Sequence, residues 1–451
     1  MALAVSEKPA AGQGQHRDSS PVRSIVEAGR AYVIRLLHSP RRLALVFLVV
    51  TLGLAPITLV PRNSPIYVGM ANAVPTVFDY TLAILIAAVV MARAAPHLFK
   101  LALVGWLPFG VLIAVLTLFF WGFSFRHLSG LLQIALAVLA FGVGVVAESL
   151  ERDDPLIPQS FAVVAWGQFA AVLLAVIGLP LRTITGPQAI DIQGRATGLT
   201  AHPGELSKLL FFCALCTLTL PQRTNRERWT VWLTLGAVFV GVFLTESRTI
   251  LISVIAMMFI YLMLEVFGGR WQRKHFAVLG MTVVLGAASL PWLISRFSAD
   301  PTGGARGHTY SLAAQVLADH FWGGVGPNSY VAVVGQIDPL TKSGVPVHDM
   351  FLLTAGELGV PGAALLWMPV LLVLGWAVYH TFRTRGRDRA ARILVSAVPG
   401  VFLIGLTGWG LLQGPYFAIF LLVLGYFGAR IGAPGQAEED ARLEVAADVN
   451  R

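Results

Sequence analysis

The sequence predicts an all-α integral membrane protein with about 12 transmembrane helices. Three observations lead to this fold class. First, 56% of the 451 residues are hydrophobic, 13% are charged and the mean hydropathy is +0.72, which lies outside the balance of soluble globular proteins. Second, many apolar runs approach the roughly 20 residues that a helix needs to cross about 30 Å of hydrocarbon. Third, basic residues cluster in alternate connections between those runs.

The apolar runs follow one another along most of the chain. Because their number is even, both termini are expected on the same side of the membrane. The runs lie at approximately 43–60, 74–92, 101–119, 128–147, 160–180, 204–220, 229–244, 248–267, 275–293, 351–380, 393–411 and 414–430.

The distribution of the 33 Lys and Arg residues orients these helices. Short cytoplasmic loops retain positive charge, and the densest clusters, at 223–228, 270–274 and 383–392, recur in alternate connections. Both termini are therefore predicted to be cytoplasmic, in the inner or plasma membrane. The net charge of +9 is interpreted as this orientation signal together with attraction to anionic lipids. Nucleic acid is not an expected partner.

The chain divides into three parts. Residues 1–40 form a cytoplasmic basic tail, 41–430 the polytopic membrane domain, and 431–451 a cytoplasmic tail that is predicted to be disordered. Apolar residues at helical spacing between 21 and 39 favour an interfacial helix, although a partly ordered tail fits them equally well. Residues 1–20 are polar, so the first apolar run is expected to act as an uncleaved anchor.

The longest predicted extracytoplasmic segment, called the outer loop here, covers residues 294–350 between helices 9 and 10. Long loops in compact proteins usually carry function. We predict a helix from about His308 to His320, followed by a glycine-rich turn at 323–327. The apolar face of that helix would comprise Leu312, Val316, Leu317 and Phe321.

Several cations lie on the predicted outer side without a topological reason. Arg248 occupies the very short connection between helices 7 and 8; an ion pair with Glu246, contact with lipid phosphate or an anion site would each explain it. Arg195 and Lys208 flank the N-terminus of helix 6, a favourable position for an anion. Glu205 competes for Lys208 at i, i+3, and the planar fork of Arg195 suits phosphate better than an ammonium does.

His348 is the predicted catalytic base. Its ordinary pKa near 6.5 suits proton abstraction at neutral pH, and it lies where the outer loop meets helix 10. Neighbouring Asp349 points elsewhere on a helix, so a His–Asp dyad is not assumed. Glu357 is another candidate partner.

Metal and nucleotide chemistry are not expected. No pair of outer histidines or carboxylates shows ligand spacing, and the sequence contains neither a nucleophile elbow nor a phosphate-binding glycine loop. Cys213 and Cys216 form a C-x-x-C motif inside an apolar run and are interpreted as packing residues. No cofactor is therefore predicted.

Four segments resemble the O-antigen ligase and polymerase family, polytopic glycosyltransferases that act outside the cytoplasmic membrane on sugars carried by polyprenyl diphosphate. The resemblance covers roughly residues 190–365. One departure is His348-Asp349, where the family commonly has His-Asn. Another is the segment His202-Pro203-Gly204-Glu205, where the family more usually has an asparagine after the proline. The segments are Arg195-Ala196-Thr197-Gly198 with His202-Pro203, Ser247-Arg248-Thr249, Arg306 to Tyr330, and Val347 to Gly362.

The resemblance implies a site. Arg195 and Arg248 would bind the donor diphosphate, and His348 would activate an acceptor hydroxyl in a metal-independent, inverting transfer. Arg306, at the start of the loop helix, is either a third cation or a solvated loop charge. From their positions in the sequence, Glu357, Asp349 and Lys208 are candidates for supporting roles. The partners would be a polyprenyl-diphosphate-linked glycan, an acceptor that is a glycolipid, a glycan or a protein, and membrane lipids.

Other functions stay open at this point. A ligase and a polymerase would use the same arrangement of charges. A transporter of lipid-linked or organic anions would also place arginines at helix ends, but it predicts an internal repeat that the sequence does not show. A scaffold whose outer loop recruits partners gives no reason for those arginines.

Overall fold

The computed structural model describes residues 39–54, 80–150, 154–179, 195–268 and 306–433, apart from residues 201, 409, 413 and 414, and a few helical positions between 280 and 298. Every regular element in these ranges is helical, which confirms the all-α class. Four predicted features fall wholly or largely outside the described residues. They are the tail helix expected before residue 39, nearly all of the C-terminal tail, most of the apolar run at 275–293 and the start of the outer loop.

The helices are numbered in chain order within the described ranges. They are α1 (Pro40–Leu54), α2 (Tyr80–Ala94), α3 (Pro96–Val104), α4 (Leu107–Leu116, continued by a π-helical turn, Thr117–Trp121), α5 (Phe125–Leu150), α6 (Leu156–Val176), α7 (Pro203–Thr217), α8 (Asn225–Leu244), α9 (Arg248–Phe267), α10 (Arg306–Asp319), α11 (Tyr330–Val334), α12 (Pro339–Lys342), α13 (Met350–Arg383), α14 (Arg389–Leu406) and α15 (Tyr416–Arg430).

Among the described residues, six helices are long and apolar enough to cross a membrane: α5, α6, α8, α9, α13 and α14. The pair α2 and α3, bent by 117°, makes a seventh if it is one span. The predicted number of about 12 stays a prediction. An apolar run can be longer than the helix that it forms. The run at 204–220 is an example, since α7 ends at Thr217 and Leu220 then donates its N–H to the Thr217 carbonyl in a tight turn.

Helices α9 and α14 pack antiparallel. Near one end, the hydroxyl groups of Thr249 and Thr407 lie 3.2 Å apart. Near the other end, Arg392 and Glu265 form a buried ion pair at 2.9 Å. The contacts at both ends fix the register of the two helices.

The bundle therefore has two distinct ends. One, called the arginine end here, holds the Arg392–Glu265 pair, the Arg430–Glu148 pair at 3.3 Å and Arg389, which donates to the Leu218 and Leu220 carbonyls. The other, called the loop end, holds residues 195–200, 202, 245–249, 306–350, 406–408 and 410–412. The charge distribution predicts that the arginine end is cytoplasmic.

The part of the outer loop after residue 305 packs around a small core that it shares with the start of α13. A helix, α10, lies where one was predicted, and Leu312 and Val316 are buried on its inner face. Phe321 does not belong to that face, contrary to the prediction, because α10 ends at Asp319 and leaves Phe321 44% exposed. The core consists of Leu312, Ala313, Val316, Tyr330, Val334, Val347 and Leu353.

Candidate active site at the loop end

Arg195 lies against the connection between α8 and α9. Its Nε donates a hydrogen bond of 2.8 Å to the Thr245 carbonyl oxygen, and the next residue, Ala196, donates its N–H to the Leu244 carbonyl at 3.0 Å. These two bonds attach the segment before α7 to the C-terminal end of α8. The guanidinium of Arg195 is thereby held at the short connection that leads to Arg248.

Arg248 is the first residue of α9. Glu246, two residues earlier, has a φ of 51°, in the left-handed region that non-glycine residues seldom adopt. This turn allows α9 to start directly after α8 ends. The preceding Ser247 makes no side-chain cap, so the first N–H groups of α9 and the Arg248 side chain share one helix end, where negative charge is favoured.

Hydrogen bonds lead from this helix end to the outer loop. Thr249 contacts Thr407 at the end of α14. Leu406, the neighbour of Thr407, accepts a hydrogen bond of 2.9 Å from the Tyr310 hydroxyl, which also lies 3.5 Å from the His348 carbonyl oxygen. The structure thus brings together the chain around Arg248 and that around His348, although 100 residues of sequence separate those two positions.

The His348 imidazole is half-buried, and its Nδ1 atom makes no hydrogen bond within the described part of the chain. Burial lowers the pKa of His348, the positive charge of Arg306 lowers it further, and the Pro346 backbone opposes the shift. A lowered pKa keeps the ring neutral at pH 7, which is the form that accepts a proton. Arg306 is therefore close enough to act on the predicted base.

Asp349 caps helix α13. Its Oδ1 accepts the N–H groups of Phe351 at 2.8 Å and Leu352 at 2.9 Å, the usual geometry of an N-cap aspartate. Burial raises the pKa of Asp349, while those two N–H groups oppose the shift. The Asp349 side chain therefore stabilises the start of α13, directly after His348. Within the described residues, its carboxylate accepts hydrogen bonds from these two N–H groups and not from the His348 imidazole.

Glu357 lies inside α13 and joins that helix to the outer loop. Its Oε1 accepts the N–H of Tyr330 at 3.4 Å, and the carboxylate also faces the backbone N–H groups of Asn328 and Ser329. These contacts are with the backbone of the outer loop, so Glu357 links α13 to residues 328–330.

Lys208 lies at the loop end with His202. The positive charges of Lys208 and Arg195 both lower the pKa of His202, after burial, which is the larger cause; this places the three groups near one another. The His202 Nδ1 caps α7 by accepting the Gly204 N–H at 2.9 Å. The Lys208 ammonium lies against Gly410, at a point where a Cβ would overlap it.

Other outer-loop groups have structural partners. His308 pairs with Asp338 at 2.9 Å, and Asp338 caps α12 through Thr341. These bonds lower the pKa of Asp338 to about 2. In the described residues no cluster of three potential metal ligands occurs, and His308 serves to close the loop.

The comparison with known families bears directly on this region. Residues 229–367 match the family model described as O-antigen ligase. This part of the chain is therefore similar to the O-antigen ligases. Comparison with curated proteins finds no match. The match supports a membrane glycosyltransferase-like function of the O-antigen ligase and polymerase type. That family implies lipid-linked glycan donors and glycan acceptors.

The matched region contains five of the predicted site residues: Arg248, Arg306, His348, Asp349 and Glu357. Arg195 lies before it in sequence and reaches it through Thr245. Sequence reasoning missed Tyr310, whose hydroxyl links α10 to α14. No local pattern marks a tyrosine in an amphipathic helix as a link of this kind.

Proposed function

We propose that this protein transfers a glycan from a polyprenyl diphosphate carrier to an acceptor hydroxyl group on the outer side of the membrane. The observation that carries the proposal is the run of contacts from Arg195 through Thr245, and from Thr249 through Thr407, to Tyr310 and the His348 backbone. These contacts link the helix end that carries Arg248 to the backbone of His348. A cation for the leaving group and an imidazole whose lowered pKa favours the neutral form are the two features that the proposed chemistry needs.

The transfer requires two actions from the protein. His348 removes the proton from the acceptor hydroxyl as that oxygen attacks the anomeric carbon. The bond between the anomeric carbon and the phosphate oxygen breaks, and the diphosphate leaves with an added negative charge. Arg195, Arg248 and the N-terminus of α9 stabilise this charge. A single displacement inverts the anomeric configuration, and the arginines supply the charge that a metal ion would otherwise provide.

Arg306 contributes a third cation on the other side of the site. Because its charge lowers the pKa of His348, we propose that it keeps the imidazole neutral and also faces the anionic donor. Lys208 and Asp349 then act indirectly, Lys208 through the packing of residues 406–412 and Asp349 through the cap of α13.

The first experiment tests the base. In purified protein in lipid nanodiscs, with a polyprenyl diphosphate glycan as donor, His348→Ala should reduce transfer by roughly 10²- to 10⁴-fold and leave donor binding near the wild-type level. His320→Ala, an exposed position in the same loop, is the matched control. Unchanged turnover in His348→Ala would remove His348 from the mechanism.

The second experiment tests the shape of the cation. Arg248→Lys keeps the charge but removes the planar fork, so transfer should fall by roughly tenfold if two bonds to phosphate are made. Arg383→Lys, at the arginine end, is the control. Equal rates for Arg248→Lys and wild type would assign Arg248 a structural role.

Ligase and polymerase activity are distinguished in cells that lack the protein. Single unpolymerised repeats on the carrier indicate a polymerase, whereas full-length polymer that stays on the carrier indicates a ligase. A transporter, the alternative from another class, would move the lipid-linked anion across vesicles without forming a new glycosidic bond. That result would exclude the proposed transfer.

A further inference from the structure

Helix α13 is broken where the outer loop touches it. Gly359 has a φ of 72°, which interrupts the helix, and Pro361 has no N–H to offer the carbonyl of Glu357. The loop uses the freed groups: Val325 donates to Gly356 and Gly326 to Glu357, each at 2.9 Å, and Val360 donates to Phe321 at 2.8 Å. The glycine-rich turn thus replaces one turn of intrahelical hydrogen bonds.

The turn also rests on the π-helical end of α4. The indole N–H of Trp121 donates to the Gly323 carbonyl at 2.7 Å, and Gly323 packs against Phe120. The tip of the loop is therefore held between α4 and α13. All these contacts satisfy backbone groups internally, as a low-water environment requires.

The side chains at this tip point outward and are apolar. Trp322 is 72% exposed and forms an edge-to-face pair with Phe321, with 5.1 Å between ring centroids. Beside them, at the end of α4, Phe119 and Phe123 are 77% and 86% exposed. Exposing these apolar side chains to water does not stabilise the loop. Exposed apolar patches of this kind mark contact surfaces.

The depth of this patch in the membrane is inferred from the residues at the opposite end of α13. Trp376 stacks on Tyr379, and the Arg383 guanidinium donates to the Tyr379 hydroxyl at 3.0 Å. Exposed Trp and Tyr with a neighbouring Arg are typical of a membrane–water interface. Tyr379 and Gly359 are about 20 residues apart, which is about 30 Å along a helix and about the thickness of the hydrocarbon layer. Gly359 therefore lies at the opposite interface, with Trp322 beside it.

We propose that the tip of the outer loop, Phe321–Trp322, is an interfacial membrane anchor that inserts its two rings among the lipids of the leaflet next to the site. The partner is lipid hydrocarbon at the headgroup boundary. The patch continues the apolar lipid-facing surface of α4 and α5, including Leu118 and Leu128. The anchor is independent of the proposed transfer reaction, because it concerns the depth of the loop only.

Nitroxide labels measure this depth. Trp322→Cys, in a Cys213→Ala, Cys216→Ala background, is labelled and reconstituted in phosphatidylethanolamine–phosphatidylglycerol vesicles. Collision rates with oxygen, which partitions into hydrocarbon, and with an aqueous nickel chelate are then compared. Lys342→Cys, exposed elsewhere in the loop, serves as the water reference, and Leu372→Cys, exposed in the middle of α13, serves as the hydrocarbon reference.

We expect an oxygen-to-nickel ratio at position 322 several-fold above that at position 342 and below that at position 372. Phe321→Cys should give the same result and guards against a misfolded variant. A ratio equal to that of position 342 would overturn the anchor, because the tip would then lie in water. Low collision rates with both reagents would also overturn it, since a protein surface or a second copy would then cover the patch.

Discussion

Tyr310 and Leu406 join the outer loop to the helical bundle through one hydrogen bond, in which the tyrosine hydroxyl donates to the leucine carbonyl at 2.9 Å. The acceptor is the last residue of α14, where carbonyl groups have no partner within the helix. The same hydroxyl lies 3.5 Å from the carbonyl oxygen of His348. The Tyr310 hydroxyl thus provides a hydrogen-bond partner for the last carbonyl of α14 and lies beside His348, the residue proposed as the base.

Loss of this hydroxyl should loosen the loop without unfolding the bundle. In Tyr310→Phe the ring stays, and a net hydrogen bond of about 0.5–1.5 kcal/mol is lost. We expect glycan transfer to fall by roughly 2- to 10-fold, mainly in kcat. Tyr379→Phe, at the arginine end, removes a hydroxyl far from the site and should leave transfer unchanged. Equal rates for Tyr310→Phe and wild type would show that the hydroxyl does not position the loop.

The pH dependence of transfer should report Arg306. The base works as neutral imidazole, so kcat/KM should decline as the pH falls through the pKa of His348, which burial and Arg306 hold below its ordinary value of 6.5. Arg306→Gln removes one of the causes that lower this pKa. The acid limb of the profile should therefore move to higher pH. A shift to lower pH, or no shift, would show that the charge of Arg306 does not lower the pKa of His348. Lys342→Gln, another loop cation, should leave the limb in place.

The helical class and the order of the elements could be predicted because both depend on local properties. The length of their apolar runs predicts α9 and α14, and the helical spacing of Leu312 and Val316 predicts α10. The predicted apolar face failed at Phe321, since periodicity alone does not say that the helix ends at Asp319. The break in α13 was also missed, because a glycine and a proline in an apolar run are equally compatible with a continuous membrane helix.

The sequence indicates residue types for the candidate site but not the contacts that those residues make. An arginine in a connection as short as that before Arg248 stands out in sequence because little else explains it. The roles of Asp349 as a cap and Glu357 as a contact to the loop backbone depend on which backbone groups lie nearby in space. Those groups belong to residues far away in sequence or to a helix start, and no spacing rule identifies them.

Glu357 should be needed for the order of the loop. In Glu357→Ala the N–H of Tyr330 and its neighbours lose their acceptor, which costs about 1–3 kcal/mol per unsatisfied buried group. We expect faster proteolysis within residues 321–345 and slower transfer. Glu357→Gln, which keeps one amide oxygen as acceptor, should recover most of both properties. If the glutamine variant were as impaired as the alanine variant, the negative charge itself would be required, and a role limited to holding the backbone would be wrong.

The break in α13 gives the sharpest comparison, because the same helix offers a control glycine. At Gly359, φ is 72° and a Cβ would overlap the Trp322 carbonyl. Gly359→Ala must either strain the backbone or push the loop tip away from the helix.

At Gly375 a Cβ meets nothing within 4 Å, so Gly375→Ala should be neutral or slightly stabilising, as alanine is favoured in a helix by about 1 kcal/mol. We therefore expect Gly359→Ala to lower the melting temperature and to reduce transfer at least tenfold, with Gly375→Ala close to wild type in both. If both variants behaved alike, contact between the loop tip and the broken helix would not control the site. The two substitutions add the same methyl group to one helix, so a difference between them arises from the loop contact and the left-handed backbone at Gly359.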